Sequence, residues 1–333
     1  MNKSILITIL TWNDWENTVA CLESIFQNEY KNFDILLVNQ GSENLHIKKI
    51  KDWSENKIQI DDPEIEFNKN KQIQIIDVTK NFKVASKGNR NIYLHNLKKN
   101  IGLAPGVNIG FKFSIQNQYD LTARIDCDFI ITKNYLKSML SIFLDENDIV
   151  AASPKIKHAY LRNTVWWKGF ESTWSYLKFQ RTMNLKKKRI IDNTNYKGIV
   201  ETDAVAGCCS FYKTTIFKIS GLEDEEFIFG PDDAELSFRL KKVGRLIVNL
   251  DAVAFHKIAQ SINVSGLYFR SYNETKGFLM LIQKTGTLSD KIIGYMYHIL
   301  RVPYFFILLA FKVRKKDNVL GFYKGCLDFF LKK

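Results

Sequence analysis

The chain reads as an α/β protein with a Rossmann-like, mostly parallel central sheet flanked by helices and a helical C-terminal extension. Three observations predict this. Short apolar, β-branched runs such as SILITIL (4–10) alternate with segments of helical periodicity, the pattern of βα repeats that bury a parallel sheet on both faces. Hydrophobic residues make up 46% and charged residues 25% of a 333-residue chain, a folded balance over a length that fits one large α/β domain or two ordinary ones. Capping and turn residues, Asn13-Asp14 and Gly102 among them, stand where strand and helix patterns change.

SILITIL (4–10) reads as a central first strand, too soon polar afterwards to be a signal peptide. Val19, Leu22, Ile25 and Phe26 then fall at helical spacing behind the Asn13-Asp14 cap. FDILLVNQGS (33–42) is a strand running into a turn, IQIIDV (73–78) a third strand and LTARID (121–126) a further one. PGVNIGFKFSIQN (105–117) and KNYLKSMLSIFL (133–144) supply helices between them. Residues 43–72, polar with Trp53 as a lone anchor, read as an insertion on the sheet's edge, and 155–199, with VWWKGF and LKKKR, as an excursion over the active face. The tail from Lys291 has a longest uncharged run of ten residues, 302–311, short of a membrane span. YFFILLAF (304–311) with Lys312, Arg314, Lys315 and Lys316 is expected to lie on an anionic membrane surface, the alternative being a core helix.

Lys and Arg number 48 against 35 acids, a net +13 that suits a nucleotide phosphate, a nucleic acid or an anionic membrane. The five cysteines (Cys21, Cys127, Cys208, Cys209 and Cys326) form no C-x-x-C pair, which points to a reduced, cytoplasmic setting.

Chemistry concentrates in a few places. Asp126-Cys127-Asp128 ends an apolar strand. Read as extended backbone, its carboxylates share one side and call for a cation between them, a divalent metal held by hard oxygens. The bland alternative is one solvated loop acid and one helix cap. Gly102, Gly106 and Gly110 fail the G-x-G-x-x-G pattern, so Gly102 reads as a turn and Gly106 as a site of close approach. In GPDDAEL (230–236), Asp232 can be an N-cap and Glu235 can complete a capping box, which leaves Asp233 without structural duty. His256 stands alone after a strand, and Arg270 can face phosphate or solvent.

The order of these pieces is more specific than any one of them. With ILTWND…CLESI (9–25), ILLVNQGS (35–42), NIGLAPGVNIG (100–110), RIDCD (124–128), GPDDAEL (230–236) and FHKIAQS (255–261), the chain resembles family-2 inverting glycosyltransferases of the GT-A fold. The nearest likeness is to the bacterial rhamnosyltransferase-like branch, over residues 4 to 275. The resemblance implies a GT-A domain over 1–275, with 1–128 binding the nucleotide sugar and 129–275 the acceptor, followed by a helical segment over 276–333. It implies Mg²⁺ or Mn²⁺ held by Asp126, Asp128 and His256, with Asp126 also near the ribose. Thr11, Asn13, Asn39, Asn100, Gly102, Asn108, Arg124 and Arg270 would line the nucleotide sugar, and Asp233 would be the base, with Asp232 and Glu235 as alternatives. The family's V-D-x-x-S turn is here Val38-Asn39-Gln40-Gly41-Ser42, so a pyrimidine is met by an amide oxygen without charge assistance, and UDP and dTDP both fit.

The implied partners are a nucleotide-sugar donor, a saccharide or lipid-linked saccharide acceptor, and an anionic membrane at the cytoplasmic face. A nucleic-acid binder is disfavoured by the scattered charge and lack of a nucleic-acid motif. A nucleotide-sugar-binding pseudoenzyme is the other alternative. A nucleotidyltransferase is disfavoured because the first strand leads into TWND rather than a glycine-rich, arginine-containing loop.

Overall fold

The computed structural model describes residues 3–62, 64–68, 73–169, 190–192, 196–257, 266–310 and 315–331. Its strands are β1 (Ile5–Thr11), β2 (Phe33–Asn39), β3 (Ile75–Asp77), β4 (Ile92–Asn96), β5 (Leu121–Ile125), β6 (Phe129–Ile131), β7 (Ile149–His158), β8 (Thr164–Trp167), β9 (Ile190–Ile191), β10 (Ile199–Glu201), β11 (Cys209–Lys213) and β12 (Arg245–His256). The helices are α1 (Trp15–Phe26), α2 (Asn44–Ser54), α3 (Leu103–Gln116), α4 (Tyr135–Asp145), α5 (Phe217–Ser220), α6 (Asp232–Leu240), α7 (Gly266–Thr285), α8 (Leu288–Ala310) and α9 (Lys316–Phe330).

The sheet runs β10-β12-β7-β11-β5-β1-β2-β4-β3. Strands β3, β4, β2, β1 and β5 are parallel, β11 is antiparallel to both β5 and β7, and β7 and β12 are again parallel. Alternation along β1 explains the double winding. Ile5, Ile7 and Ile9 pack with Val19 and Leu22 of α1 and Leu136 and Met139 of α4. Leu6 turns the other way, towards Leu36, Val38 and Phe113 of α3. A strand buried on both faces has no polar side, hence the continuous apolar run.

β4 was not anticipated: IYLHN looks half polar, yet Ile92, Tyr93 and Leu94 are buried between β2 and β3. The 43–72 segment also differs from expectation. Trp53 on α2 donates its indole N–H to Glu23 of α1 at 2.9 Å and meets Phe26 edge-on, so α2 sits against α1 rather than the sheet's edge. Nor is Trp53 a lone anchor, since Ile50 is buried beside it. The boundary expected after 275 falls inside the continuous helix α7. LKKKR (185–189) lies outside the described residues. Among the described residues no helix is long and apolar enough to cross a membrane.

Candidate active site

The parallel register lines up the carboxyl ends of β1, β2, β4 and β5, the edge where open α/β sheets bind ligands. Thr11 is level with Asn39, and Asn39 with Asn96. Because β11 runs antiparallel to β5, Cys209 at its start pairs with Ile125 at the end of β5, and the loop before β11 reaches the same edge.

Asp126-Cys127-Asp128 is a turn rather than extended strand. The Phe129 N–H returns to the Asp126 carbonyl at 3.2 Å, and the Asp126 N–H is held by the Cys208 carbonyl at 2.9 Å. The extended-backbone premise therefore does not hold, and the two carboxylates find different partners. Asp126 leans on Arg124, with Nε to Oδ1 at 3.5 Å, and Asp128 meets His256 Nε2 at 3.1 Å. His256 arrives because β12 pairs with β6, which places it opposite Phe129. Its ring stacks on Phe129 at 4.5 Å, takes the edge of Trp166 at 4.9 Å, and has a buried Nδ1 with no hydrogen-bond partner among the described residues.

Arg124 is the buried cation beneath this edge. Its guanidinium is 3% exposed and faces Glu223 at 2.9 Å, Asp126 at 3.5 Å and Asp232 at 3.6 Å. Burial works against the charge of Arg124, but Glu223, Asp126 and Asp232 outweigh it and hold its pKa well above the ordinary value. One guanidinium cannot neutralise three carboxylates, so the cluster keeps protons. Burial, opposed by Arg124, pushes Glu223 up to about 8, and Glu223 Oε2 has no hydrogen-bond partner among the described residues. Asp126, 32% exposed, is raised to about 6 by partial burial against the pull of Arg124, with Asp128 adding to the rise.

The two adjacent acids at the start of α6 separate cleanly. The N-cap position is Pro231, so Asp232 is not the cap, and no capping box forms. Asp232 is 4% exposed, and burial followed by repulsion from Asp233 raises its pKa against Arg124. Asp233 is half-buried and is held by backbone: Oδ2 accepts from Gly207 at 3.1 Å and Oδ1 from Ala234 at 2.8 Å. A Cβ at Gly207 would lie 2.6 Å from Asp233 Cβ, so only glycine admits this approach. Glu235 is 4% exposed and chelates Arg239 at 2.7 and 2.6 Å, which occupies it structurally.

The nucleotide-side residues divide likewise. Asn13, at φ +52°, accepts from Glu43 N at 2.9 Å and ties the β1 loop to the turn after β2. Asn39 accepts from Ser42 N at 2.9 Å, closing that turn. Gln40, not anticipated, donates to the Gly102 carbonyl at 2.7 Å and accepts from Ile101 N at 3.2 Å, while Asn100 accepts from Gly102 N at 2.9 Å. Gly106 faces Gln40 and Leu10, where a Cβ would come within 2.3 and 2.7 Å. Thr11, by contrast, is 1% exposed and bonded to Thr18 at 2.8 Å. Asn108 is buried with both ends of its amide spent on Glu223, at 2.8 and 2.9 Å. Arg270 is exposed and pairs with Glu274 at 2.7 Å on α7. These three side chains bond to Thr18, Glu223 and Glu274 rather than to Asp126 or Asp128.

Sequence reasoning also missed Glu223 and Lys257. Nothing in GLEDEEF marks Glu223 among its neighbouring acids. Lys257 follows His256 directly; its N–H reaches the Asp128 carbonyl at 3.0 Å and its ammonium meets Asn17 at 3.2 Å and pairs with Asp62.

No protein-family model and no curated protein sequence matches the chain. Solved structures match its fold. GalNAc-T7, with UDP, GalNAc and Mn²⁺, aligns at a TM-score of 0.56 and 13% identity over 84% of this chain. The mannosyltransferase PcManGT from Pyrobaculum calidifontis, in complex with GDP-Man and Mn²⁺, aligns at 0.56 and 10% identity, covering 100% of this chain and 88% of its own. S. aureus TarS 1-349 aligns at 0.51 and 13% identity over 85% of this chain. The fold is GT-A. The chain spans 48% of GalNAc-T7 and 66% of TarS 1-349, so the likeness is one of fold.

Proposed function

We propose that this chain is an inverting glycosyltransferase of the family-2, rhamnosyltransferase-like type. It would move a sugar from a UDP- or dTDP-sugar to a hydroxyl of a saccharide acceptor, in a growing bacterial surface polysaccharide or glycan, free or lipid-linked. One observation carries the reading. Asp126 and Asp128 after β5, His256 at the end of β12 and Asp233 at the start of α6 gather on the carboxyl edge of a sheet whose solved neighbours include complexes with UDP and GDP-Man.

The residues fit a divalent metal. Asp128 offers a carboxylate and His256 an imidazole 3.1 Å away, and Asp126 can add a second carboxylate. Among the described residues no three His, Cys, Asp or Glu side chains stand placed together to hold a metal ion, so Asp126 would have to turn from Arg124 to join Asp128 and His256. So small a set suits Mg²⁺ or Mn²⁺, which usually take one or two carboxylates from the protein and the rest from phosphate and water. When bound, the ion would supply Lewis-acid stabilisation of the departing diphosphate.

The chain's own groups do the remaining work. Asn13, Asn39, Asn100 and Gly102 line the edge that takes the nucleotide, and Arg124 holds Asp126 from below. Asp233, fixed by two backbone donors, takes the proton of the acceptor hydroxyl as it attacks the anomeric carbon. Single displacement inverts that carbon through an oxocarbenium-like transition state. Asp232 and Glu235 are too enclosed to share the role.

Screening sugar nucleotides for release of nucleoside diphosphate, with and without EDTA, tests the reading. Transfer should release nucleoside diphosphate and stop in chelator. Pyrophosphate release would instead mark a nucleotidyltransferase. Binding without turnover across donors and acceptors would mark a pseudoenzyme.

A further inference from the structure

We propose that α8 docks the protein on an anionic lipid surface through a face built of apolar side chains turned towards solvent. A helix on a globular protein normally turns its apolar stripe inward and its charges outward. In α8 apolar side chains face both ways: Tyr295, Val302 and Phe305 pack towards Phe322, and a second apolar stripe is left exposed. Leu288, Ile292, Met296, Ile299, Leu300 and Ile307 are between 52% and 75% exposed. At 3.6 residues per turn they occupy one arc that runs roughly 29 Å along the helix.

Three polar groups of α8 are used on the protein side. Asp290 accepts from Thr287 N at 2.9 Å at the helix start. His298 is 1% exposed and bonded to the Gly294 carbonyl at 2.9 Å, and burial pulls its pKa down to about 4. Arg301 lies over the rings of Tyr297, Phe305 and Phe322 at 4.9 to 5.4 Å. Phe305, inside the anticipated 304–311 anchor, is buried and stacked on Phe322 at 4.2 Å, while Tyr304, Phe306 and Ile307 of that run are exposed, so the docking face takes in part of the run and extends back to Leu288. Residues 311–314 lie outside the described residues.

Charge selects the occupant. Over 276–333 the chain has eleven Lys and Arg against three acids, so +8 of the net +13 belongs to this segment. Lys315 and Lys316 stand exposed where α9 begins. A second copy laid on the same face would bring two +8 segments together, whereas anionic head groups would meet them with opposite charge. With no described helix suited to cross a bilayer, the face would lie in the interface plane.

Co-flotation of the full chain with vesicles tests this without turnover, so its failure would leave the transferase reading untouched. The chain should float with phosphatidylcholine vesicles containing phosphatidylglycerol at low salt, and less with phosphatidylcholine alone or at high salt. The double variant Ile299→Glu/Ile307→Glu should keep the wild-type melting temperature and bind at least about tenfold more weakly. Should it fail to fold, Met296→Ser/Leu300→Ser takes its place with the same expectation. Absence of flotation at low salt overturns the proposal, as does a dimer in light scattering that these variants dissolve in place of vesicle binding.

Discussion

Asp233 and Gly207, 26 residues apart, are joined by a hydrogen bond of 3.1 Å from the glycine N–H to the aspartate Oδ2. The bond aims the candidate base, and it exists because position 207 has no side chain. A Cβ there would lie 2.6 Å from Asp233 Cβ and 3.1 Å from Arg124 Nη1. Gly207→Ala is therefore expected to cost roughly 1–3 kcal/mol of stability through overpacking. It should also lower kcat more than it weakens nucleotide binding. Denaturant unfolding and steady-state kinetics check both, and unchanged kcat would mean that Asp233 is not aimed by this contact.

Asp233→Asn should retain fold and donor affinity while kcat falls about 10²–10⁴-fold, the usual contribution of a positioned base. Asp232→Asn should act on stability instead, because Asp232 is buried beside Arg124 at 3.6 Å. A dead Glu235→Gln with an active Asp233→Asn would move the base to Glu235, against the Arg239 pairing seen here.

Asp128→Ala and His256→Ala should each abolish most of the Mn²⁺-dependent part of nucleotide diphosphate binding. Titration calorimetry with UDP and dTDP, in Mn²⁺ and in EDTA, reads this directly. Equal binding by wild type and Asp128→Ala in both buffers would remove Asp128 from the metal set.

Glu223 should leave a signature in the pH dependence of stability. Its pKa is raised from 4.5 to about 8 by burial, so the folded chain keeps a proton that the unfolded chain releases. Stability must then fall as pH rises between those values and level off above the upper one. Glu223→Gln carries no such proton. Its melting temperature relative to wild type should increase steadily between about pH 5 and 8. A difference that shrinks over that range would place the proton on another member of the Arg124 cluster.

The sequence by itself determined the layered architecture. ILITILT of β1, FDILLVN of β2 and LTARI of β5 have every residue buried or nearly so, and Val19, Leu22, Ile25 and Phe26 of α1 are buried as their spacing suggested, although the helix is enclosed all round from Thr18 to Phe26. Periodicity reports burial because each strand or helix must hide its own apolar side chains, whatever the rest of the chain does. β4 escaped because Tyr93 and His95 look polar until β2 and β3 close over them. The partners of the site's side chains were decided only by tertiary structure. The pairing of Arg124 with Glu223 spans 99 residues, and that of Asp128 with His256 spans 128. The stretch 126–128, read as extended backbone, is a turn whose two carboxylates take different partners. The exposed stripe of α8 was decided in the same way: which of its apolar faces meets the core depends on the neighbour that covers one of them, here Phe322 of α9 against Phe305. Strand register and loop geometry set those distances, and neither is a property of a local stretch of sequence.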